Sequence, residues 1–427
     1  MPFFVRTHWT FIATTACAFA AAAVLVACGG GGDAPATAVA AASSSATDDD
    51  TGRAHALADG TPVPDSLLEP GLPALIASRK PQLAFHDLAK GRKLFERETF
   101  GGNGRTCRTC HSRETGTTSP EDAQRRYAAD PADPLFLADG SDDGQGQGTT
   151  RMQKDATVLV RIALPDNVSL AHDPAARSVV LRRAIPSTLN TPALDDVLML
   201  DGRQPDLLAQ ARGAIADHAQ ATRTPRNDEL AQIAAFQQTP GFFSSLTMLK
   251  YAYFGVKPEL PQGRTESEKR GRRFFVDAPP QGDFKTGLCS GCHSGPMLNE
   301  TNEFVPVPPF RRGGRFQSVG VAEFNAAANP VIDFVFRNPD GTTTTVSSPD
   351  PGRALITGNP KDSESVNAFK IPSLWGVART APYFHDNSAK TLEDVARHYA
   401  LFFSVVSPIV LTPEDQADLV AYMKLLR

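Results

Sequence analysis

The chain has 427 residues, a formal net charge of −4 and six cysteines. Its 43 basic and 47 acidic residues nearly balance, which leaves no electrostatic footprint for nucleic acid. The length allows more than one folded unit, and the cysteines are too few for a fold stapled by disulfides.

The N-terminus has the layout of an export signal. Arg6 and His8 precede an apolar run from Trp9 to Ala27, and Leu25-Val26-Ala27-Cys28 has the form of a bacterial lipobox. Residues 1–28 are therefore expected to be a lipoprotein signal peptide, with a lipid anchor on Cys28. An ordinary cleaved signal or a retained span is the competing reading. Gly29 after the cysteine points to the outer membrane, and so to a periplasmic protein. Residues 29–75 open in Gly, Ala, Ser, Thr and Asp, which bury little surface and predict a flexible tether.

Cys107-Arg108-Thr109-Cys110-His111 and Cys289-Ser290-Gly291-Cys292-His293 both read C-x-x-C-H, the attachment motif of c-type haem. Two thiols at this spacing add across the two vinyl groups of one haem, and the adjoining histidine reaches the iron. A zinc ribbon would set its cysteine pairs about 15–20 residues apart. Here the pairs begin at 107 and 289, and each carries its own histidine. Two covalently bound haem c groups are expected, with His111 and His293 as proximal ligands. Cys17 and Cys28 fall in the signal, so no cysteine is left for a disulfide.

The two motifs belong to a longer repeat. Gly91-Arg92-Lys93-Leu94-Phe95 precedes the first and Gly271-Arg272-Arg273-Phe274-Phe275 the second, each fitting a short amphipathic helix. Each half also closes on a helix. One is predicted from Thr224-Pro225 through Leu230, Ile233, Ala234 and Phe236, the other from Thr412-Pro413 through Leu419, Val420 and Met423. Helix, haem motif and closing helix is the plan of a cytochrome c domain. The expected fold is mainly α: two tandem cytochrome c-type domains, 76–250 and 251–427, with long loops and a small β-hairpin insertion. The hairpin is predicted from Val331 to Val346 around Asn338-Pro339-Asp340-Gly341. Residues 115–150 read as a long loop, with Asp139, Asp142 and Asp143 making turns rather than binding calcium. Arg182-Arg183 and the cluster from Lys269 to Arg273 read as solvated helix faces.

Further stretches carry a family likeness. Phe369-Lys370-Ile371-Pro372-Ser373-Leu374-Trp375, Thr380-Ala381-Pro382-Tyr383-Phe384-His385-Asp386 and Thr391-Leu392-Glu393 resemble the C-terminal half of bacterial di-haem cytochrome c peroxidases. That superfamily includes the MauG-type enzymes, which oxidise a protein partner. Pro186-Ser187-Thr188-Leu189-Asn190 and Asp201-Gly202-Arg203 resemble its N-terminal half, so the likeness covers roughly residues 80–427 apart from the loops. The resemblance implies that one haem reacts with hydrogen peroxide and the other stores or relays electrons. It also implies a distal ligand on the second iron, Met in the peroxidases and Tyr in MauG.

Thr391 is expected to cap a helix with Asp394 completing a capping box and Leu392, Val395, Tyr399 and Phe402 on one face. Counting from Thr391, the peroxidases' methionine position holds Tyr399, so the resemblance makes Tyr399 a metal ligand. Without the resemblance Tyr399 reads as a core aromatic. His398 lies about 100° around the helix and is the weaker candidate. Laying Asp201–Leu207 over Asp386–Leu392 puts Ala214 opposite Tyr399, so the first iron is expected to have an open distal position. His218, one turn further, is the candidate acid–base residue, and it also reads as a distal ligand or an exposed helix residue. The family keeps a glutamate near here; this chain offers Asp217, His218 and Gln220. His172 and Met152 are the other candidate distal ligands of the first haem. In the same register Leu200 replaces the family's inter-haem tryptophan, with Trp375 as a substitute. Ala184 replaces a calcium-binding asparagine, so calcium is implied only with a changed ligand set. His385 reads either as a hydrogen-bonding group near the second haem or as a structural histidine.

The combined expectation is a lipid-anchored di-haem oxidoreductase. It would reduce hydrogen peroxide with electrons from a small c-type cytochrome, a copper protein or an oxidisable protein, or oxidise such a protein in the MauG manner. The rival is a non-enzymatic di-haem electron-transfer lipoprotein.

Overall fold

The computed structural model describes residues 55–68, 87–279, 281–304, 312–324, 329–362 and 364–427. The signal segment, the lipobox with Cys28 and the start of the tether lie outside the described residues.

Helices begin where the sequence supplies caps. α1 (Leu88–Glu96) starts after Asp87, whose carboxylate accepts from Lys90 N at 3.0 Å, and it buries Gly91, Leu94 and Phe95 on one face. The remaining helices of seven residues or more are α2 (Pro120–Ala129), α3 (Leu207–Asp217), α4 (Asn227–Phe236), α5 (Leu246–Phe254), α6 (Glu266–Arg272), α7 (Leu392–Val406) and α8 (Pro413–Met423). α8 starts as expected, with Thr412 Oγ1 accepting from Asp415 N at 3.1 Å. α4 starts later than Thr224-Pro225 suggested. There the Glu229 carboxylate reaches back to Arg226 N at 2.9 Å and so fixes the first turn at Asn227.

The repeat is visible as two equivalent helix crossings. α1 packs on α4 with Gly91 against Gln232 O, and α6 packs on α8 with Gly271 against Asp418 O. Only a residue without Cβ lets the backbones approach this closely.

Among the described residues, three small sheets complete the fold. β1 (Thr157–Ala163) pairs antiparallel with β3 (Ser178–Ala184). β2 (Val168–Leu170) pairs with β5 (Ile332–Arg337), which turns into β6 (Thr343–Ser348). β4 (Phe316–Gln317) pairs with β7 (Phe369–Lys370). The hairpin expected around Asn338–Gly341 is therefore present, and it takes a third strand from the first half of the chain.

Two readings need correction. Residues 115–150 are not one long loop, because they contain α2 and its capping box from Ser119. Asp142 and Asp143 do make turns, accepting from Arg151 N and Gln145 N at 2.7 Å each. Arg183 is not on a solvated helix. It is a fully buried residue of β3, bonded by Nε and Nη2 to Asp350 at 2.8 and 2.9 Å and by Nη1 to Asp201. Lys269 and Arg270 do form an exposed face of α6.

Apolar side chains gather into three clusters. Leu94, Phe95, Phe100, Ile215, Leu230 and Ile233 join α1, α3 and α4. Met152, Val160, Leu181, Phe334 and Phe336 fill the space around the sheets. Phe243, Met248, Phe274, Trp375, Leu419 and Tyr422 form the third, and Leu57 and Val63, from within the expected tether, are buried with them. Phe95, Phe243, Phe274, Phe334 and Phe336 are at most 2% exposed. Each such side chain contributes about 1.5–3 kcal/mol by leaving water.

Candidate haem sites

The two C-x-x-C-H motifs have the same bonding. His111 N donates to Cys107 O at 3.0 Å, and His293 N to Cys289 O at 2.8 Å. Each imidazole then meets a carbonyl oxygen five residues on: His111 Nδ1 to Gly116 O at 2.7 Å, His293 Nδ1 to Leu298 O at 2.8 Å. A carbonyl only accepts, so each proton sits on Nδ1 and each Nε2 keeps its lone pair for a metal. Burial holds His111 down to about 4 and depresses His293 as well, so both rings are neutral. Burial also pushes the thiols up, Cys107 and Cys292 to about 12.

Cys107, Cys110 and His111 share the wall of one cavity with Phe95, Val158 and Val160. Neutral thiols, a neutral imidazole with a free Nε2 and an apolar wall suit a covalently attached haem. Across the cavity stands α3, which presents Gln210, Ala214 and His218 along one stripe. Ala214 offers no donor, and His218 follows as the C-cap of α3.

His218 does not stand alone. Its Nδ1 bonds Asp139 Oδ2, and Asp139 Oδ1 takes Arg105 Nη1. Arg105 is 2% exposed and also donates to Pro134 O at 2.7 Å and Leu135 O at 2.9 Å. Burial would raise the Asp139 carboxyl, but the His218 hydrogen bond and the nearby His218 and Arg105 charges hold it below the ordinary value. Arg105 does not stand out in the sequence, and Asp139 reads there only as a turn residue.

Of the three acid–base candidates, His218 alone lines the cavity. Asp217 and Gln220 are exposed. α3 ends at Asp217, Gln220 has φ of 50°, and its side-chain oxygen takes Asn103 Nδ2 at 3.1 Å. The alternative ligands are elsewhere too. Met152 is fully buried in the sheet core, and His172 is exposed on the loop after β2.

At the second motif, Tyr399 of α7 packs on the same core as Cys289 and Leu288. Its ring stacks on Phe403 at 6.1 Å and meets Phe384 edge-on at 6.3 Å. Burial raises its phenol, and charge on the nearby Cys292 or Cys289 would raise it further. Thr391 caps α7 as expected, accepting from Asp394 N at 3.1 Å. His398 is occupied otherwise, with Nε2 2.8 Å from Val319 O.

Leu200 borders the first cavity, and Trp375 is buried in the core that also packs against Cys289. Trp375 Nε1 donates to Pro296 O at 2.9 Å, three residues past His293, and its carbonyl accepts from Asn190 Nδ2 at 3.0 Å. His385 is buried and stacks flat on Phe369 at 3.6 Å. Ala184 N is bonded to His385 O at 2.7 Å. Among the described residues no group of three or more His, Cys, Asp or Glu side chains is arranged to hold a metal ion.

No family model matches the chain. Cytochrome-c peroxidase IdrP1 of Denitromonas iodatirespirans is 28% identical over 152 residues, which cover 32% of this chain and 36% of that protein. Cytochrome c551 peroxidase of Nitrosomonas europaea is 26% identical over 222 residues, covering 49% of this chain and 55% of that protein. The chain thus spans from about a third to just over half the length of these relatives. A solved MauG-like protein associated with microbial copper homeostasis superposes with a TM-score of 0.44 at 20% identity, over 79% of this chain and 87% of that one. The chain thus carries two haem-attachment motifs and is similar, over part of its length, to bacterial cytochrome c peroxidases.

Proposed function

We propose that this protein is a di-haem c-type oxidoreductase, built as two cytochrome c-type halves, that reacts with hydrogen peroxide at its first haem. Electrons come from a small c-type cytochrome, a copper protein or an oxidisable protein partner. The observation that carries this reading is the asymmetry of the two sites. Tyr399 packs on the same core as Cys289 of the second motif, whereas Ala214 lines the cavity of the first, one turn before His218.

The haem, when bound, supplies a redox-active iron. The protein does the rest. His111 Nε2 is presented as the proximal donor, its tautomer fixed by Gly116 O. Ala214 leaves room for a small ligand on the facing side. With a haem held there to supply the two electrons that O–O cleavage needs, His218 would accept a proton from hydrogen peroxide and return it to the departing oxygen, which would leave as water. Tyr399, a hard anionic ligand once deprotonated, suits ferric iron and a low reduction potential. Calcium is not required by this scheme. The signal and Gly29 support export and an outer-membrane lipid anchor on Cys28, facing the periplasm.

One equivalent of hydrogen peroxide added to the fully oxidised holoprotein tests the reading. The expected result is a rapid shift of the Soret band, and peroxide-dependent oxidation of a reduced cytochrome in steady state. If neither the oxidised nor the half-reduced protein responds, the non-enzymatic electron carrier is the better description.

A further inference from the structure

His218 is tied into a cluster that comes from a separate part of the chain. Its side chain meets Asp139, and its carbonyl takes Asn103 Nδ2 at 3.0 Å and Arg105 Nη1 at 3.3 Å. Gly140 makes the cluster feasible, since a Cβ there would overlap Leu135 O and Arg105 Nη2. The loop around Asp139 is thus shaped to bring one half-buried carboxylate between one buried guanidinium and one imidazole.

We propose that Asp139 is the positioning residue of the first site, holding His218 in the tautomer whose Nε2 is a free proton acceptor facing the cavity. This rests on reading that cavity as the place where peroxide binds. A carboxylate only accepts, so it keeps the imidazole proton on Nδ1 and stabilises the imidazolium that forms when Nε2 is protonated. No bond to Asp139 is made or broken. The proton moves from the incoming ligand to His218 Nε2, and the Nδ1 proton stays in place.

Arg105 makes the proposal sharply testable, because a guanidinium has donors and no acceptor. In Asp139→Asn the amide oxygen must face Arg105, so the amide NH₂ faces His218 Nδ1. Nδ1 then has to accept, the proton moves to Nε2, and the base is lost. Asp139→Ser imposes no such orientation and leaves the imidazole free to choose. The isosteric variant is therefore the more damaging one, which is the reverse of what a purely structural role gives.

The test is the association rate of hydrogen cyanide with the ferric holoprotein, followed by stopped-flow absorbance. Hydrogen cyanide must give up a proton as it binds, and no turnover is involved. We expect His218→Ala and Asp139→Asn to slow association alike, by about a hundredfold if the base acts at its usual strength. Asp139→Ser should fall between them and the wild type. An Asp139→Asn rate equal to wild type, or an Asp139→Ser rate below that of Asp139→Asn, overturns the proposal. A wild type that binds cyanide in this base-dependent way but ignores peroxide keeps Asp139 in its role and removes the peroxide reading. A wild type that binds neither removes both.

Discussion

Gly91 of α1 stands directly against the carbonyl oxygen of Gln232 in α4, with no room between them for a Cβ. Gly271 of α6 meets Asp418 O of α8 in the same manner. Gly91→Ala should therefore lower stability by about 1–3 kcal/mol through overpacking. Alanine's better helix propensity returns only about 1 kcal/mol, and a backbone carbonyl cannot swing aside as a side chain can. Denaturant titration of the holoprotein checks this. A midpoint equal to wild type would mean that the helices spread freely and the crossing is not tight.

Tyr399→Phe keeps the ring contacts with Phe403 and Phe384 but removes the oxygen. We expect the ferric spectrum of one haem to change and the other to stay as it was. Redox titration should show the affected haem becoming easier to reduce, because a hard anionic donor has been lost. An unchanged spectrum would take Tyr399 out of the ligand set.

The Trp375 ring donates to Pro296 O, three residues past His293, and its backbone carbonyl accepts from Asn190 Nδ2. Trp375→Phe should slow electron exchange between the haems, measured by flash photolysis of the half-reduced carbon monoxide complex. It should also cost about 1–3 kcal/mol, because Pro296 O loses its buried donor. An exchange rate equal to wild type would direct the route elsewhere.

The buried cluster of Arg183, Asp201 and Asp350 predicts the acid behaviour of the fold. Burial alone would raise the Asp201 carboxyl, but Arg183 and then Arg203 bring it below its ordinary value of 3.8. A carboxyl depressed in the folded state contributes stability that is complete above its unfolded pKa and is lost as pH falls through its folded pKa. Thermal stability should therefore decline as the pH drops below about 4. Asp201→Asn should flatten that limb and cost about 3–5 kcal/mol at neutral pH. A variant with the same acid slope as wild type would place the effect on other carboxyls.

What could be read from the sequence was local. The C-x-x-C-H turns, the Thr391 and Thr412 caps and the paired glycines each depend on neighbours a few residues away. The Asp139–His218 contact joins positions 79 apart in the chain and depends on Arg105 and Gly140 fitting together first. Nothing in the spacing signals it. Gln220 lies past the end of the helix at Asp217, where the backbone turns, so its side chain points to Asn103 rather than lining the cavity. Arg183 looked solvated because its two carboxylates come from residues 201 and 350, which only the fold unites.

The pairing of β2 with β5, backed by the bonds from Arg183 to Asp350, clasps one half of the chain to the other. Both haem motifs thereby sit in one folded body. If each carries its haem, electrons would cross between them along a path set by the fold rather than waiting on a swinging domain.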